Sequence, residues 1–258
     1  MKQIAIIGAK GMVGQNLVNL YFKNNNIFSI TRENIDKYRD IKFDLIFIAA
    51  ADGRKYIANK DPYSDLISIM NLLKSLAFYN SEKIVLISTI DVYNINGNIG
   101  DEKTKLDIIS PNYGSNRLLL ELSLKHLFKE KLLVIRLQGL IANNLKKNLL
   151  YDIKHGKALS NFSTNTTFQF YPLNRLKKDI DEILQTEIRL CNLSAEPISI
   201  KELYSEINTQ LNISNRNDIL TVNYNVKSIH NSLSSVNSGY WILKKAIMSE
   251  IKNYLNIN

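Results

Sequence analysis

The sequence predicts an open α/β fold, a doubly wound parallel sheet with helices on both faces and a smaller C-terminal lobe. Three observations predict it. Short β-branched runs alternate with helical patterns through the first two thirds of the chain. Several of those runs are apolar at every position, as strands buried on both faces are. A glycine-rich turn stands between the first run and the first helical pattern.

Ile4-Ala5-Ile6-Ile7 reads as the first strand, and Val13, Leu17, Val18 and Tyr21 recur after it at helical spacing. Ile27-Phe28-Ser29-Ile30 is a second strand and Leu45-Ile46-Phe47-Ile48 a third. A helix follows Asp61-Pro62 and runs through Leu66, Met70 and Leu73. Lys83-Ile84-Val85-Leu86-Ile87 is the next strand. Leu118, Leu119, Leu122 and Leu127 mark a further helix, and Leu132-Leu133-Val134-Ile135 the strand after it. Beyond residue 140 Asn, Lys, Ser and Thr become common and the apolar runs break up. A helix over 175–186 and a short strand at Arg189-Leu190-Cys191 are expected to return to the sheet. An amphipathic helix through Ile247, Ile251 and Leu255 closes the chain. The expected organisation is a sheet domain over 1–140, rejoined by 175–195, and a lobe built from 141–174 and 196–258.

The composition narrows the class. The 258 residues suffice for a sizeable core, and 45% hydrophobic with 22% charged residues suits a globule in water. No apolar run reaches the roughly 20 residues of a membrane helix, so no membrane partner is expected. Met1-Lys2-Gln3-Ile4 passes straight into a strand, without the pattern of a signal peptide. The single Cys191 excludes an intramolecular disulfide framework and suits a reducing compartment. The expected location is cytoplasmic. The net charge of +9 suits either nucleic acid or phosphorylated small molecules. Its lysines and arginines are scattered along helices, with no arginine-rich run interleaved with aromatics, so no nucleic-acid partner is expected. No His/Cys/Asp/Glu group has metal-ligand spacing, so no metal is expected.

The turn after the first strand is Gly8-Ala9-Lys10-Gly11-Met12-Val13-Gly14. Where a strand turns into a helix, free backbone N–H groups and the helix dipole face an anion. Glycines there permit the tight turn, the close approach of a pyrophosphate and the packing of helix on sheet. The strand before and the amphipathic helix after supply the context that makes this a Rossmann-type dinucleotide loop. The second strand ends Ser29-Ile30-Thr31-Arg32, with no acid at Thr31 to bond the adenosine ribose. Arg32 and Lys10 place two cations near the ribose 2′ position, which favours NADP, with NAD the alternative. A solvated Arg32 stays open beside this, and Glu33 speaks for it.

Further motifs follow in order: Ala49-Ala50-Ala51 ending a strand, Ser88-Thr89-Ile90-Asp91-Val92-Tyr93, and Tyr113-Gly114-Ser115-Asn116-Arg117. With the glycine loop, they resemble the extended short-chain dehydrogenase/reductase family, which holds nucleotide-sugar epimerases, dehydratases and reductases. Met12-Val13 and Thr31-Arg32-Glu33 are most similar to its GDP-fucose synthase branch, and the length to its dTDP-4-keto-sugar reductases. The resemblance covers roughly residues 1–140. It implies an NAD(P)-dependent oxidoreductase in which Tyr113 exchanges the proton on a substrate oxygen, Thr89 orients that oxygen, and the residue four after the tyrosine supplies a cation.

That position holds Arg117, where the family almost always has lysine. A free phenol has a pKa near 10, so action as a base near pH 7 needs its phenolate favoured by roughly 4 kcal/mol, about a thousandfold. Arginine keeps the charge but is not interchangeable with lysine at a tight site. In ketone reduction the tyrosine starts protonated and the demand on Arg117 is lighter.

The resemblance further implies a nucleotide-sugar substrate beneath the C-terminal lobe, contacted by Asp91, Asn143, Lys147 and Asn148, and a homodimer through the helices near 62–79 and 112–129. A solvated polar loop is the alternative for Asn143, Lys147 and Asn148. In the dehydratases an Asp-Glu pair follows the active-site threonine; here Ile90 takes the first place and only Asp91 remains. The expected activity is NADP-dependent reduction of a nucleotide-linked keto-sugar for surface-polysaccharide synthesis. An epimerase of the same family, or an NADP-binding sensor without chemistry, are the alternatives.

Overall fold

The computed structural model describes residues 1–157, 162–207, 222–234 and 238–257. By their contacts they fall into two compact units. The first comprises residues 1–92, 105–136 and 174–191, the second residues 93–104, 137–173 and 192–258.

The first unit carries the parallel sheet. Strands β1 (Lys2–Ile7), β2 (Asn25–Ile30), β3 (Lys42–Ile48) and β4 (Asn80–Thr89) are joined by strands Leu132–Leu137 and Leu190–Asn192. From edge to edge the order is Leu190–Asn192, Leu132–Leu137, β4, β3, β1, β2. The chain thus leaves β1 to one side for β2, then crosses back over residues 31–41 to β3 on the other side. That reversal opens a crevice at the carboxyl ends of β1 and β3, where sheets of this kind place their ligands.

Both faces are covered because both parities of β1, β3 and the centre of β4 are apolar. On one face Ala5, Ile7, Ile46, Ile48, Ile84 and Leu86 form a single core with Ile69 and Leu76 of helix α3 (Pro62–Leu76) and Leu120 and Leu124 of helix α4 (Tyr113–Phe128). On the other, Ile4, Ile6, Leu45, Phe47 and Val85 are buried as well. Tyr21 of helix α1 (Met12–Tyr21) packs its ring 4.9 Å from that of Phe47. Its hydroxyl donates to Asp181 of the helix Leu176–Ile183 at 2.8 Å.

The helix phases differ from the sequence expectation. Met70 in α3 is 55% exposed, and Ile69 and Leu76 face the core instead. In α4, Leu122 and Leu127 are exposed while Leu118, Leu120 and Leu124 are buried. A helix with leucines on several sides does not declare which stripe the sheet will take.

In the second unit the strand pairs are short. Gly139–Ile141 runs parallel to Phe170–Pro172, and Ile99–Gly100 parallel to Asn225–Val226. Gln169 ties these segments together, donating to the Ala195 and Val226 carbonyls at 2.6 and 2.8 Å and accepting from Val226 N at 2.9 Å. The last helix, Lys244–Leu255, buries Ile247, Met248, Ile251 and Tyr254.

Candidate active site

The glycine loop is fixed to the ends of three strands. Gly8 N and Ala9 N donate to the Ile30 carbonyl at 2.9 and 3.2 Å, and Ala49 N donates to the Ile7 carbonyl at 2.8 Å. Gly8 has φ +90°, and a Cβ there would lie 2.4 Å from the Ala49 carbonyl oxygen. A Cβ on Gly14 would lie 2.1 Å from the Gly8 carbonyl oxygen. Only glycine lets loop, helix and β3 end approach so closely. Gly11 closes the turn by donating to the Gly8 carbonyl at 2.9 Å, then caps α1 with no side-chain hydrogen bond. The start of α1 is therefore backbone alone, framed by half-buried Met12, Val13, Ala49, Ala50 and Ala51. A cradle with no room for a Cβ, ending in a helix N-terminus without a side-chain cap or an acidic first turn, fits a dinucleotide's pyrophosphate.

At the end of β2 the charges are arranged differently from the two-cation expectation. Lys10 pairs with Glu33 at 3.6 Å, both largely exposed. The Thr31 hydroxyl also donates to Glu33. Thr31's hydrogen bond, a backbone N–H and the Lys10 charge together hold the Glu33 carboxyl below its usual range. Among the described residues Arg32 has no ion-pair partner and its side chain is exposed. At this strand end Lys10 is thus shared with an acid, whereas Arg32 is not.

A second cluster forms where β4 ends and α4 begins. Asp91 N donates to Thr89 Oγ1 at 3.1 Å, and Thr89 Oγ1 lies 3.4 Å from Asp91 Oδ2. A Cβ on Gly114 would fall 2.2 Å from the Asp91 carbonyl oxygen, so glycine lets the first turn of α4 press against this strand end. That contact brings Tyr113 to the Asp91 end of β4, where the Asp91 charge acts on its phenol. Asn112 caps the helix, accepting from Ser115 N at 3.0 Å. Farther along, buried Glu121 receives Arg136 at 2.6 Å and the Ser88 hydroxyl, which fixes α4 along β4.

Tyr113 is buried, and burial pushes its phenol pKa up. Arg117 pulls it down, Asp91 adds to the rise and Lys55 opposes it; the net direction is upward. Arg117 lies under the ring, its guanidinium carbon 4.6 Å from the ring centroid. Besides acting on the phenol, its fork reaches a second helix. Nη1 and Nη2 donate to the two Asp65 oxygens at 3.0 and 2.9 Å, and Nη2 donates to the Asp52 carbonyl at 2.6 Å. The pair is almost fully buried, at 4% and 7% exposure. Asn116 adds a bond to Asp65 at 2.8 Å and one to the Pro62 carbonyl at 2.9 Å. Arg117 therefore clamps α4 to α3, and a carboxylate balances its charge.

The sequence reading passed over two residues of this cluster. Lys55 opens the short helix α2 (Lys55–Lys60) and places its ammonium 2.6 Å from Asp91 Oδ1. Asn59, one turn later, accepts from Tyr113 N at 2.9 Å. The available signal was position: both follow a strand end at the sheet's reversal, where charged and amide side chains meet ligands.

Of the expected substrate residues, Asn143, Lys147 and Asn148 belong to the second unit. Asn143 is exposed. Lys147 pairs with Asp152 at 3.1 Å. Asn148 caps the helix Leu149–Lys154, accepting from Tyr151 N at 3.0 Å and donating to the Leu140 carbonyl at 2.8 Å. Its side chain is thus spent on holding its own loop.

No protein-family model and no curated protein sequence matches the chain. Solved structures do. A dTDP-4-dehydrorhamnose reductase from Yersinia enterocolitica superposes with a TM-score of 0.73 at 16% identity, over 99% of each chain. A UDP-glucose 4-epimerase from Thermotoga maritima, solved with UDP-glucose, gives 0.76 at 13% identity, over 98% of this chain and 97% of the other. The fold is that of the nucleotide-sugar reductases and epimerases. A Bacillus anthracis dTDP-4-dehydrorhamnose reductase in complex with NADP shares it as well, at 0.71 and 17% identity over 99% and 98% of the chains. This reductase–epimerase fold extends through both units of the chain. No helix among the described residues is long and apolar enough to cross a membrane.

Proposed function

We propose that the protein is an NADP-dependent reductase of a nucleotide-linked keto-sugar, serving surface-polysaccharide synthesis. The observation that carries this reading is the burial of the Tyr113 phenol beside two ion pairs. Arg117 is paired with Asp65 and Lys55 with Asp91, and the downward pull of Arg117 on the phenol is outweighed by burial. Burial then keeps the proton on Tyr113. A phenol that holds its proton is suited to donate it, as ketone reduction demands. An epimerase needs the same phenol to begin by taking a proton from an alcohol.

In this reading the Gly8–Gly14 loop and the first turn of α1 hold the pyrophosphate, with Met12, Val13 and Ala49 to Ala51 framing it and Thr31 and Arg32 at the adenosine ribose. When bound, NADPH supplies the hydride that reaches the carbonyl carbon. Tyr113 gives its phenolic proton to the carbonyl oxygen, which becomes the alcohol. The Thr89 hydroxyl donates to that oxygen and orients it. Arg117 keeps α4, and with it Tyr113, in register. The dTDP-4-dehydrorhamnose reductases and UDP-glucose epimerase that share the fold support a nucleotide-sugar as the substrate class.

The second reading, an NADP-binding sensor without chemistry, draws on the same clamp, since Arg117 also serves a buried ion pair with Asp65. Incubation with NADPH and a panel of nucleotide-linked keto-sugars separates the readings. A reductase consumes one NADPH per alcohol formed, an epimerase forms isomer with no net loss of NADPH, and a sensor does neither.

A further inference from the structure

Helix α2 touches both halves of the polar cluster. Lys55 reaches the β4 end through Asp91, and Asn59 reaches the start of α4 through Tyr113 N. The Lys55 and Asp91 side chains are 40% and 15% exposed, so the pair stands at the wet side of the cluster. Arg117, in contrast, points its fork at Asp65 and the Asp52 carbonyl.

Two contacts of the Asp91 carboxylate bear on the site. Oδ1 takes the Lys55 ammonium at 2.6 Å, while Oδ2 lies 3.4 Å from the Thr89 hydroxyl. A threonine hydroxyl has one hydrogen to give. At 3.4 Å the contact to Asp91 is too long to be a strong O–H···O bond, which prefers about 2.7–2.8 Å. Without the Lys55 ammonium that carboxylate loses a neutralising charge and draws the neighbouring hydroxyl hydrogen more strongly. Charge-assisted hydrogen bonds of this kind contract to about 2.5–2.7 Å and hold their hydrogen firmly.

We propose that Lys55 is a positioning residue of the site: by pairing with Asp91 it restrains that carboxylate and leaves the Thr89 hydrogen free for the substrate's carbonyl oxygen. The inference rests on the reductase reading of the site. Electrostatics point the same way, since at the Tyr113 phenol the Asp91 charge acts upward and the Lys55 charge downward. The ammonium thus serves the site from a different segment than the tyrosine's own helix, and it acts through Asp91 without touching substrate.

The test combines a structure and a kinetic cycle. A crystal structure of Lys55→Met should show the Thr89 Oγ1 to Asp91 contact contracted from 3.4 Å to below about 2.8 Å. A contact that stays at its present length overturns the inference, and this readout needs no turnover. In steady-state assays on a keto-sugar that the wild type reduces, Lys55→Met should lower kcat roughly tenfold, the scale of one lost hydrogen bond. Lys55→Arg should restore most of it, and NADPH affinity should be unchanged. In an Asp91→Asn background the Lys55→Met change should cost little more, because its route is gone. Equal losses in both backgrounds, or a change in KM alone, overturn it. A wild-type protein that reduces no keto-sugar defeats the reductase reading, while the Lys55→Met structure still decides the positioning role.

Discussion

Asp65→Ala should destabilise the protein far more than the loss of a surface charge. Asp65 and Arg117 are 7% and 4% exposed, and the carboxylate also receives Asn116 at 2.8 Å. Removing one partner of a buried pair leaves the other charge without compensation, which costs about 3–5 kcal/mol. At about 2–4 °C per kcal/mol for a chain of this size, the midpoint of thermal unfolding should fall by roughly 6–20 °C. The assay is circular dichroism on heating, with no cofactor added. Two companions show that the clamp itself is being measured. Arg117→Lys keeps the charge but loses the planar fork, and should fall between wild type and Asp65→Ala. The double variant Asp65→Leu with Arg117→Met removes both charges and should recover most of the stability. A loss under about 1 kcal/mol in Asp65→Ala, the scale of an exposed pair, would refute the reasoning that Arg117 is a buried structural clamp.

Other outcomes follow from the same geometry. Gly114→Ala forces a Cβ to within 2.2 Å of the Asp91 carbonyl oxygen, so the start of α4 must retreat. A displacement near ~1 Å at the chemistry should lower kcat roughly 100-fold, while NADPH binding, read by its fluorescence, stays intact. Because the Tyr113 phenol is held above its ordinary range and works in its protonated form, kcat should not fall with an ionising phenol until above about pH 10. A rate that instead climbs with pH as a phenol ionises would mark Tyr113 as a base. Arg32→Ala should weaken NADPH roughly tenfold and leave NADH nearly unchanged, the scale of one charge-assisted bond. Glu33→Gln should tighten NADPH by about two- to fivefold by freeing Lys10 and removing a repelling carboxylate, measured by titration calorimetry.

The sheet was legible in the sequence because its strands are buried on both faces. Ile4–Ile7 and Leu45–Ile48 are apolar at every position, and their short length and β-branched residues favour strands over a buried helix. The glycine loop was legible because Gly8 and Gly14 fill places where any Cβ would strike a carbonyl. Less legible were the helix phases, where Met70 and Leu122 face outward although the pattern admits them to the core. The second engagement of Arg117 was hidden for a different reason. Four residues after Tyr113 it lies on the tyrosine's side of the helix, as spacing requires. Its partner Asp65 sits on another helix, and local spacing carries no trace of such pairing. Lys55 was missed for the same reason, since its role appears only when α2 folds against Asp91. The substrate-side residues were drawn from a resemblance, and Asn148 and Lys147 prove to be occupied by their own helix and by Asp152.

The central claim is that the buried phenol of Tyr113 hands its proton to a substrate oxygen, and Tyr113→Phe measures it directly. The substitution removes one oxygen from a residue that is 8% exposed, so fold and nucleotide binding should persist. With NADPH and a reducible nucleotide-linked keto-sugar, kcat should drop by about 10²–10⁴-fold, the share of a positioned acid. A variant that keeps both its NADPH affinity and its turnover would contradict the account.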